Sequence, residues 1–190
     1  MKSHFTVPVR ILLISFLFTG MSSMHSFRQF PDMGFTTMNG KTVNGDYFKN
    51  KNTVVVHFFT GCQAAMKAVK DLQKLESSGE APIQILYLAQ NTPQHIVDFN
   101  STEENMWSKV RKHYAIEPIE GDVVAVCTTE RLQISGEDTL IGQHCDTFAK
   151  EIRTKWSPTF VFVDGEGKIK SKHKGMLPKE ELRNLNKKFN

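Results

Sequence analysis

The 190-residue sequence contains only three cysteines, and no two of them form a CxxC motif. Cys62, Cys127 and Cys145 stand far apart, without the Cys/His spacing of a zinc finger. This excludes a conventional dithiol site and a zinc finger. In an oxidising compartment the odd count leaves one cysteine free or transiently paired.

The sequence also lacks a strong excess of charge. Its formal net charge is +4, and removal of an N-terminal leader with Lys2 and Arg10 would leave 22 basic against 20 acidic residues. This even balance disfavours a nucleic acid as partner.

Long apolar runs are absent as well. The longest, "ILLISFLFTGM", has eleven residues, follows the basic start "MKSHFTVPVR" and precedes the small, polar "SSMHS". It is too short for a typical transmembrane helix and is typical of a signal peptide. We therefore predict a signal peptide over residues 1–26, a mature domain over 27–190, and export to the periplasm or the outside of the cell. An uncleaved N-terminal membrane anchor is the alternative.

Periodicity predicts the elements of the mature chain. Asn39-Gly40 indicates a β-hairpin, and residues 53–59 and 83–89 have the continuous apolar pattern of central strands. The pattern becomes helical after Cys62, and a further helix begins at Pro93 and runs to about residue 114, with a break near Asn100.

Residues 116–156 are less regular. They suggest a strand at 122–127, a loop or short hairpin, and a helix at 145–156. Two strands joined by a tight turn and a closing helix over 177–189 follow. The predicted fold class is α/β, a mixed sheet flanked by helices on both faces.

Several short segments carry a family resemblance. They are "PD" at 31–32, "NGKTV" at 39–43, "YFKNKNTVVVHFF" at 47–59, Cys62 at a strand-to-helix junction, "SPTFVFVDGEGKI" at 157–169 and "LPKEEL" at 177–182. Their order resembles the exported TlpA-like and AhpC/TSA-type redoxins of the thioredoxin-like superfamily. The resemblance implies a thioredoxin-like domain with an N-terminal β-hairpin, an insert at about 116–156 and a role in cell redox homeostasis.

The sequence departs from this family at the motif itself. Ala65 stands where the second cysteine of CxxC would be, and Val55 and Phe59 replace the Pro and Thr that peroxiredoxins carry before their reactive cysteine. A standard peroxidase is therefore disfavoured.

A narrower resemblance is to the SCO-type copper proteins. Phe59-Thr60-Gly61-Cys62 and Asn91-Thr92-Pro93 match parts of their motifs, with Met66 at the position of their second cysteine. Cys62 and Met66 would share a helix face and suit Cu(I), and His144 or His173 is a candidate third ligand. The simpler interpretation places Met66 in the core.

Cys62 is the predicted nucleophile, because a helix N-terminus favours a thiolate. The alternative is a buried, inert cysteine. The resemblance further implies that Pro158 is a cis-proline facing Cys62 and shaping a groove for an extended substrate segment. Otherwise Pro158 simply starts a strand.

Three interpretations of Cys127 and Cys145 stay open. They form a structural disulfide, or one of them resolves a mixed disulfide on Cys62, or both are free and buried.

The predicted function is thiol-disulfide redox exchange with protein thiols or disulfides, or with an external thiol reductant, and without a cofactor. If this role is enzymatic, the class is thiol-disulfide oxidoreductase. The alternatives are an SCO-like copper-binding protein or metallochaperone, and an inactive redoxin-fold binding module. A membrane is a partner only if the leader is retained.

Overall fold

The structure, a computed structural model, describes residues 28–79, 83–134, 137–144 and 157–189. The predicted leader and the predicted helix at 145–156, with Cys145, lie outside the described residues. The elements in chain order are β1 (Phe35–Thr36), β2 (Thr42–Val43), α1 (Gly45–Phe48), β3 (Thr53–Phe58), α2 (Gln63–Ser78), β4 (Gln84–Ala89), α3 (Pro93–Asn100), α4 (Met106–His113), β5 (Asp122–Ala125), β6 (Thr128–Ile134), β7 (Glu137–His144), β8 (Thr159–Val163), β9 (Ile169–Lys174), α5 (Lys179–Arg183) and a 3-10 helix (Leu185–Lys188).

A five-stranded mixed sheet in the order β5-β4-β3-β8-β9 forms the centre of the molecule. β3 runs parallel to β4, and β4 parallel to β5, whereas β8 is antiparallel to both β3 and β9. α2 connects β3 to β4, and α3 and α4 connect β4 to β5. Parallel strands need such long crossover connections, because a tight turn cannot join them. The predicted mixed α/β sheet is confirmed.

Every residue of the central strand β3 is buried. Val54, Val56 and Phe58 pack into one hydrophobic cluster with α2 and α3, while Val55 faces a second cluster on the other side of the sheet. In the described part of the chain, Phe30, Tyr47 and other N-terminal residues supply the cover on that second side. Burial on both faces explains why this strand is apolar, except at Thr53 and His57, instead of alternating between apolar and polar residues.

The N-terminal hairpin and the break between α3 and α4 are also confirmed. β6 and β7 pair with each other in antiparallel orientation and make a separate two-stranded sheet. The segment predicted as an insert at 116–156 nevertheless contains β5, an edge strand of the central sheet. The closing helix is shorter than predicted, because α5 ends at Arg183 and a 3-10 turn follows.

In the described part of the chain, no helix is both long and apolar enough to cross a membrane.

Candidate functional site

Cys62 is the N-cap residue of α2, directly beyond the carboxyl end of the central strand. Its backbone is extended, with φ −97° and ψ 116°, and its carbonyl accepts a hydrogen bond from the N–H of Met66 at 2.9 Å. The Cys62 N–H donates to the carbonyl of Phe59 at 3.0 Å, which closes a tight turn over residues 59–62, the Cys62 turn, before the helix. The side chain is half-buried and carries a free thiol.

The Cys62 thiol faces the segment that precedes β8. Its Sγ donates to the carbonyl oxygen of Ser157 at 3.4 Å. The Ser157–Pro158 peptide bond is cis, as the resemblance implied. Ser157 also accepts, through Oγ, a hydrogen bond from the N–H of Phe59 at 2.9 Å. The structure therefore brings together Cys62 and Pro158, which lie 96 positions apart in the printed sequence.

This proximity follows from the sheet register. β8 is antiparallel to β3, and Thr159 at the start of β8 is paired with His57 near the end of β3. The residues just before β8 and just after β3 must therefore meet at the same end of the sheet.

A buried contact that the sequence did not predict lies behind the Cys62 turn. Thr60 and Asn91 are both fully buried. The Thr60 N–H donates to Oδ1 of Asn91 at 3.2 Å, and Nδ2 of Asn91 donates to Oγ1 of Thr60 at 2.8 Å. Asn91 appeared in the sequence only as part of a motif resemblance, and a single sequence carries no signal that it pairs with Thr60.

An aromatic cluster adjoins the same turn. The Phe59 ring is 37% exposed and makes an edge contact with Trp107 at a centroid distance of 6.4 Å. The Trp107 ring lies 4.9 Å from that of His95. These residues come from the Cys62 turn, α4 and α3, so their grouping depends on the tertiary fold.

Cys127 is disulfide-bonded and only 1% exposed. The interpretation of Cys127 as a free, buried cysteine is therefore wrong for this structure. Its backbone N–H donates to the carbonyl of Asn91 at 3.1 Å. Cys145 lies outside the described residues, and the predicted Cys127–Cys145 bridge stays a prediction.

The copper candidates receive less support. Met66 is fully buried in the main core cluster, which agrees with its interpretation as a core residue. His57 is buried within β3 as expected, and Nε2 of His173 lies 3.0 Å from the carbonyl oxygen of Met176. His144 ends β7, and its side chain is outside the described part. Within the described residues, no group of three or more His, Cys, Asp or Glu side chains could hold a metal ion.

Neither a protein-family model nor a curated protein matches the sequence. Solved structures do match the fold. A protein assigned as thiol:disulfide interchange protein DsbE from Chlorobium tepidum matches with a TM-score of 0.56 and 13% identity, covering 84% of this chain and 92% of that chain. A thiol-disulfide oxidoreductase from Bacteroides fragilis matches with a TM-score of 0.54 and 14% identity, covering 86% and 100%.

The thioredoxin domain of a thiol-disulfide oxidoreductase from Bacteroides vulgatus has a TM-score of 0.52 and 20% identity, covering 86% of this chain and 96% of that one. These matches show that the chain has the thioredoxin-like fold. The fold resemblance drawn from the sequence is thereby confirmed.

Proposed function

We propose that this chain is an exported thioredoxin-like protein that exchanges thiols and disulfides through Cys62. The observation that carries the proposal is a free, half-buried thiol at the N-terminus of α2, in contact with the segment that contains the cis Ser157–Pro158 bond. A helix N-terminus favours the thiolate, which is the form that attacks a disulfide. The thiol-disulfide exchange proteins that share the fold support the same chemistry.

The proposed reaction begins when the Cys62 thiolate attacks one sulfur of a partner disulfide. A new S–S bond forms between Cys62 and the partner, the partner's own S–S bond breaks, and its second sulfur leaves as a thiolate that takes a proton from solvent. The product is a mixed disulfide on Cys62.

An external thiol resolves this mixed disulfide in our proposal. Position 65 is an alanine, and Cys127 is already disulfide-bonded and buried. The external thiolate attacks the partner sulfur of the mixed disulfide, takes over the partner and releases the Cys62 thiolate. Exchange therefore requires a thiol co-substrate, such as glutathione or a protein dithiol.

Cys62→Ser should abolish this exchange, because a serine hydroxyl does not form a disulfide. The measurement is the initial rate at which the mature protein, with excess glutathione, deglutathionylates a peptide. The variant is expected to fall to the uncatalysed rate. Ala64→Ser adds a hydroxyl in the same helical turn without removing the thiol and should keep the wild-type rate. Full activity in Cys62→Ser would refute the proposal.

Export through the predicted leader is part of the same proposal. Expression of the full chain should yield a protein that is shortened near residue 26 and recovered outside the cytoplasm. Mass spectrometry of each cell fraction measures this. An intact N-terminus in the membrane fraction would instead support the uncleaved anchor.

Copper binding through Cys62 and Met66 is the alternative proposal. It predicts that the mature protein takes Cu(I) from a chromogenic chelator in competition, and that Met66→Leu loses this ability. Met66 is fully buried in the core. We therefore expect no Cu(I) uptake if the protein acts only in thiol-disulfide exchange. An inactive binding module would show neither copper uptake nor exchange.

A further inference from the structure

Two loops at the carboxyl edge of the parallel strands are joined by a pair of buried hydrogen bonds. Thr60 lies between β3 and α2, two residues before Cys62, and Asn91 lies between β4 and α3. Nδ2 of Asn91 donates to Oγ1 of Thr60 at 2.8 Å, and the backbone N–H of Thr60 donates to Oδ1 of Asn91 at 3.2 Å. Both residues are 0% exposed. We propose that Asn91 is the positioning residue for Cys62, an inference that rests on the proposed function.

Asn91 is itself held rigidly. Its carbonyl accepts the N–H of Cys127 at 3.1 Å, and the preceding residue, Gln90, donates its N–H to the carbonyl of Phe58 at 2.6 Å. The side chain of Asn91 therefore projects from a fixed backbone toward the Cys62 turn. Buried amides that lack a partner are costly, so the side chain and the turn hold each other in one arrangement.

The Cys62 turn is tethered on two sides. Ser157 Oγ accepts a hydrogen bond from the N–H of Phe59, and Asn91 Oδ1 accepts one from the next N–H along the chain, that of Thr60. These two consecutive peptide groups set the direction in which the chain enters α2. That direction determines whether Cys62 takes the N-cap position with its Sγ toward Ser157. Asn91 acts through Thr60 and not on the reacting sulfur, which makes it a positioning residue.

Asn100 offers a matched control at the other end of α3. Its side-chain amide also makes two hydrogen bonds to one residue, donating to the carbonyl of Ile119 at 3.2 Å and accepting its N–H at 2.9 Å. α3 has eight residues, so the two asparagines are separated by about one helix length of 12 Å. Loss of either side-chain amide removes two hydrogen bonds to a single residue, but only Asn91 contacts the Cys62 turn.

The test compares the variants Asn91→Leu, Thr60→Val, Thr60→Ser and Asn100→Leu, each with its disulfide intact. The measurement is the rate at which iodoacetamide alkylates Cys62 in the folded protein, relative to the same variant in denaturant. This readout requires no turnover, so it separates a failure of Asn91 positioning from a failure of disulfide exchange. Thermal unfolding of each variant is recorded alongside.

We expect Asn91→Leu to lower the folded-state rate by about fivefold, since both hydrogen bonds to Thr60 are lost. Thr60→Val should lower it by a smaller factor, since only the bond from Nδ2 of Asn91 is lost and the backbone N–H of residue 60 still donates to Oδ1. Thr60→Ser, which retains the hydroxyl, should keep the wild-type rate. Asn100→Leu should also keep it, despite a comparable fall in melting temperature. The double variant Asn91→Leu/Thr60→Val should be no slower than Asn91→Leu alone, because Asn91→Leu already breaks both hydrogen bonds between the two residues.

The inference is overturned if Asn91→Leu retains the wild-type rate, or if Asn100→Leu slows alkylation to the same extent. Should Asn91→Leu fail to fold, Thr60→Val decides alone, because valine has nearly the shape of threonine and lacks only the hydroxyl. A Thr60→Val protein that folds and alkylates at the wild-type rate would then refute the positioning role.

Discussion

Gly61 allows the Phe59 ring to lie directly against the Cys62 turn. A Cβ atom on residue 61 would come within 2.5 Å of Cε1 of Phe59, closer than side-chain carbons approach. The ring is partly exposed and makes an edge contact with Trp107. Glycine at position 61 thus leaves room for the Phe59 ring against the Cys62 turn.

Gly61→Ala should displace the Phe59 ring from Trp107. Because the ring can swing toward solvent, we expect a loss of only about 1 kcal/mol in the free energy of unfolding. The measurement is the set of proton NOEs between the two rings, together with chemical denaturation. Gly45→Ala is the control, since its Cβ would meet nothing within 4 Å. Preserved NOEs in Gly61→Ala would contradict this account.

At the scale of elements, α2 determines where the thiol lies. Its buried face packs on the sheet, and the helix ends at Gly79, whose positive φ of 64° forms a left-handed cap. Since Cys62 is the N-cap residue of this helix, any tilt of α2 moves the thiol relative to Ser157. Core packing under α2 therefore supports the geometry of the site.

Leu72→Ala should cost about 2–5 kcal/mol in the free energy of unfolding, because the side chain is fully buried under α2 and its removal leaves a cavity. Urea denaturation measures the change. Lys74→Ala alters an exposed position of the same helix and is expected to stay within about 0.5 kcal/mol of the wild type. Equal effects of the two substitutions would show that α2 does not pack as described.

At the scale of the whole molecule, Asp122 ties the N-terminal segment to the edge strand β5. Its carboxylate accepts from Nζ of Lys41 at 2.8 Å, Nδ2 of Asn39 at 3.0 Å and the hydroxyl of Tyr47 at 2.9 Å. Burial by itself would raise the pKa of Asp122, but the hydrogen bonds from Lys41, Asn39 and Tyr47 lower it below its ordinary value of 3.8. Burial, reinforced by the Asp122 carboxylate, raises the pKa of Tyr47.

Asp122→Asn should lower the free energy of unfolding by about 1–3 kcal/mol at pH 7, since hydrogen bonds to a charged group are lost. Because the pKa of Asp122 is lower in the folded state than in the unfolded state, its ionised carboxylate stabilises the fold at pH values above the unfolded-state pKa of about 3.9. This stabilisation is lost as the pH falls through the folded-state pKa. The difference between wild type and variant should therefore shrink below about pH 4. Urea denaturation at a series of pH values measures it.

Glu103→Gln removes an exposed carboxylate and is the control for Asp122→Asn. It should show a difference from wild type close to zero at every pH. A wild-type advantage over Asp122→Asn that grows as the pH falls below 4 would contradict the sign of the pKa shift. Asp122 is at the start of β5, and Cys62 follows the far end of the parallel strands, so thiol reactivity should not change.

The central strands β3 and β4 and the start of α2 could be predicted from local pattern alone. β3 and β4 are continuous apolar runs, and Cys62 stands where the strand pattern gives way to a helical one. The pairing of Cys62 with Pro158 came from the family resemblance, and the antiparallel register of β3 and β8 accounts for it physically.

Contacts between distant loops could not be predicted in this way. Thr60 and Asn91 are ordinary polar residues in the sequence, and only the fold shows that they bury and satisfy each other. The same holds for Asp122, which looked like the first residue of a strand. The 3-10 turn after α5 was missed because the apolar spacing of Leu182, Leu185 and Phe189 also fits a continuous helix.

The most direct test of the central claim is the rate at which Cys62 forms a mixed disulfide with oxidised glutathione at pH 7, followed by intact mass. The account predicts that the folded protein reacts at least about tenfold faster than the same chain in denaturant, with the adduct mapped to Cys62. A folded protein whose Cys62 reacts no faster than the denatured chain would contradict it and would indicate an inert cysteine in a thioredoxin-like scaffold.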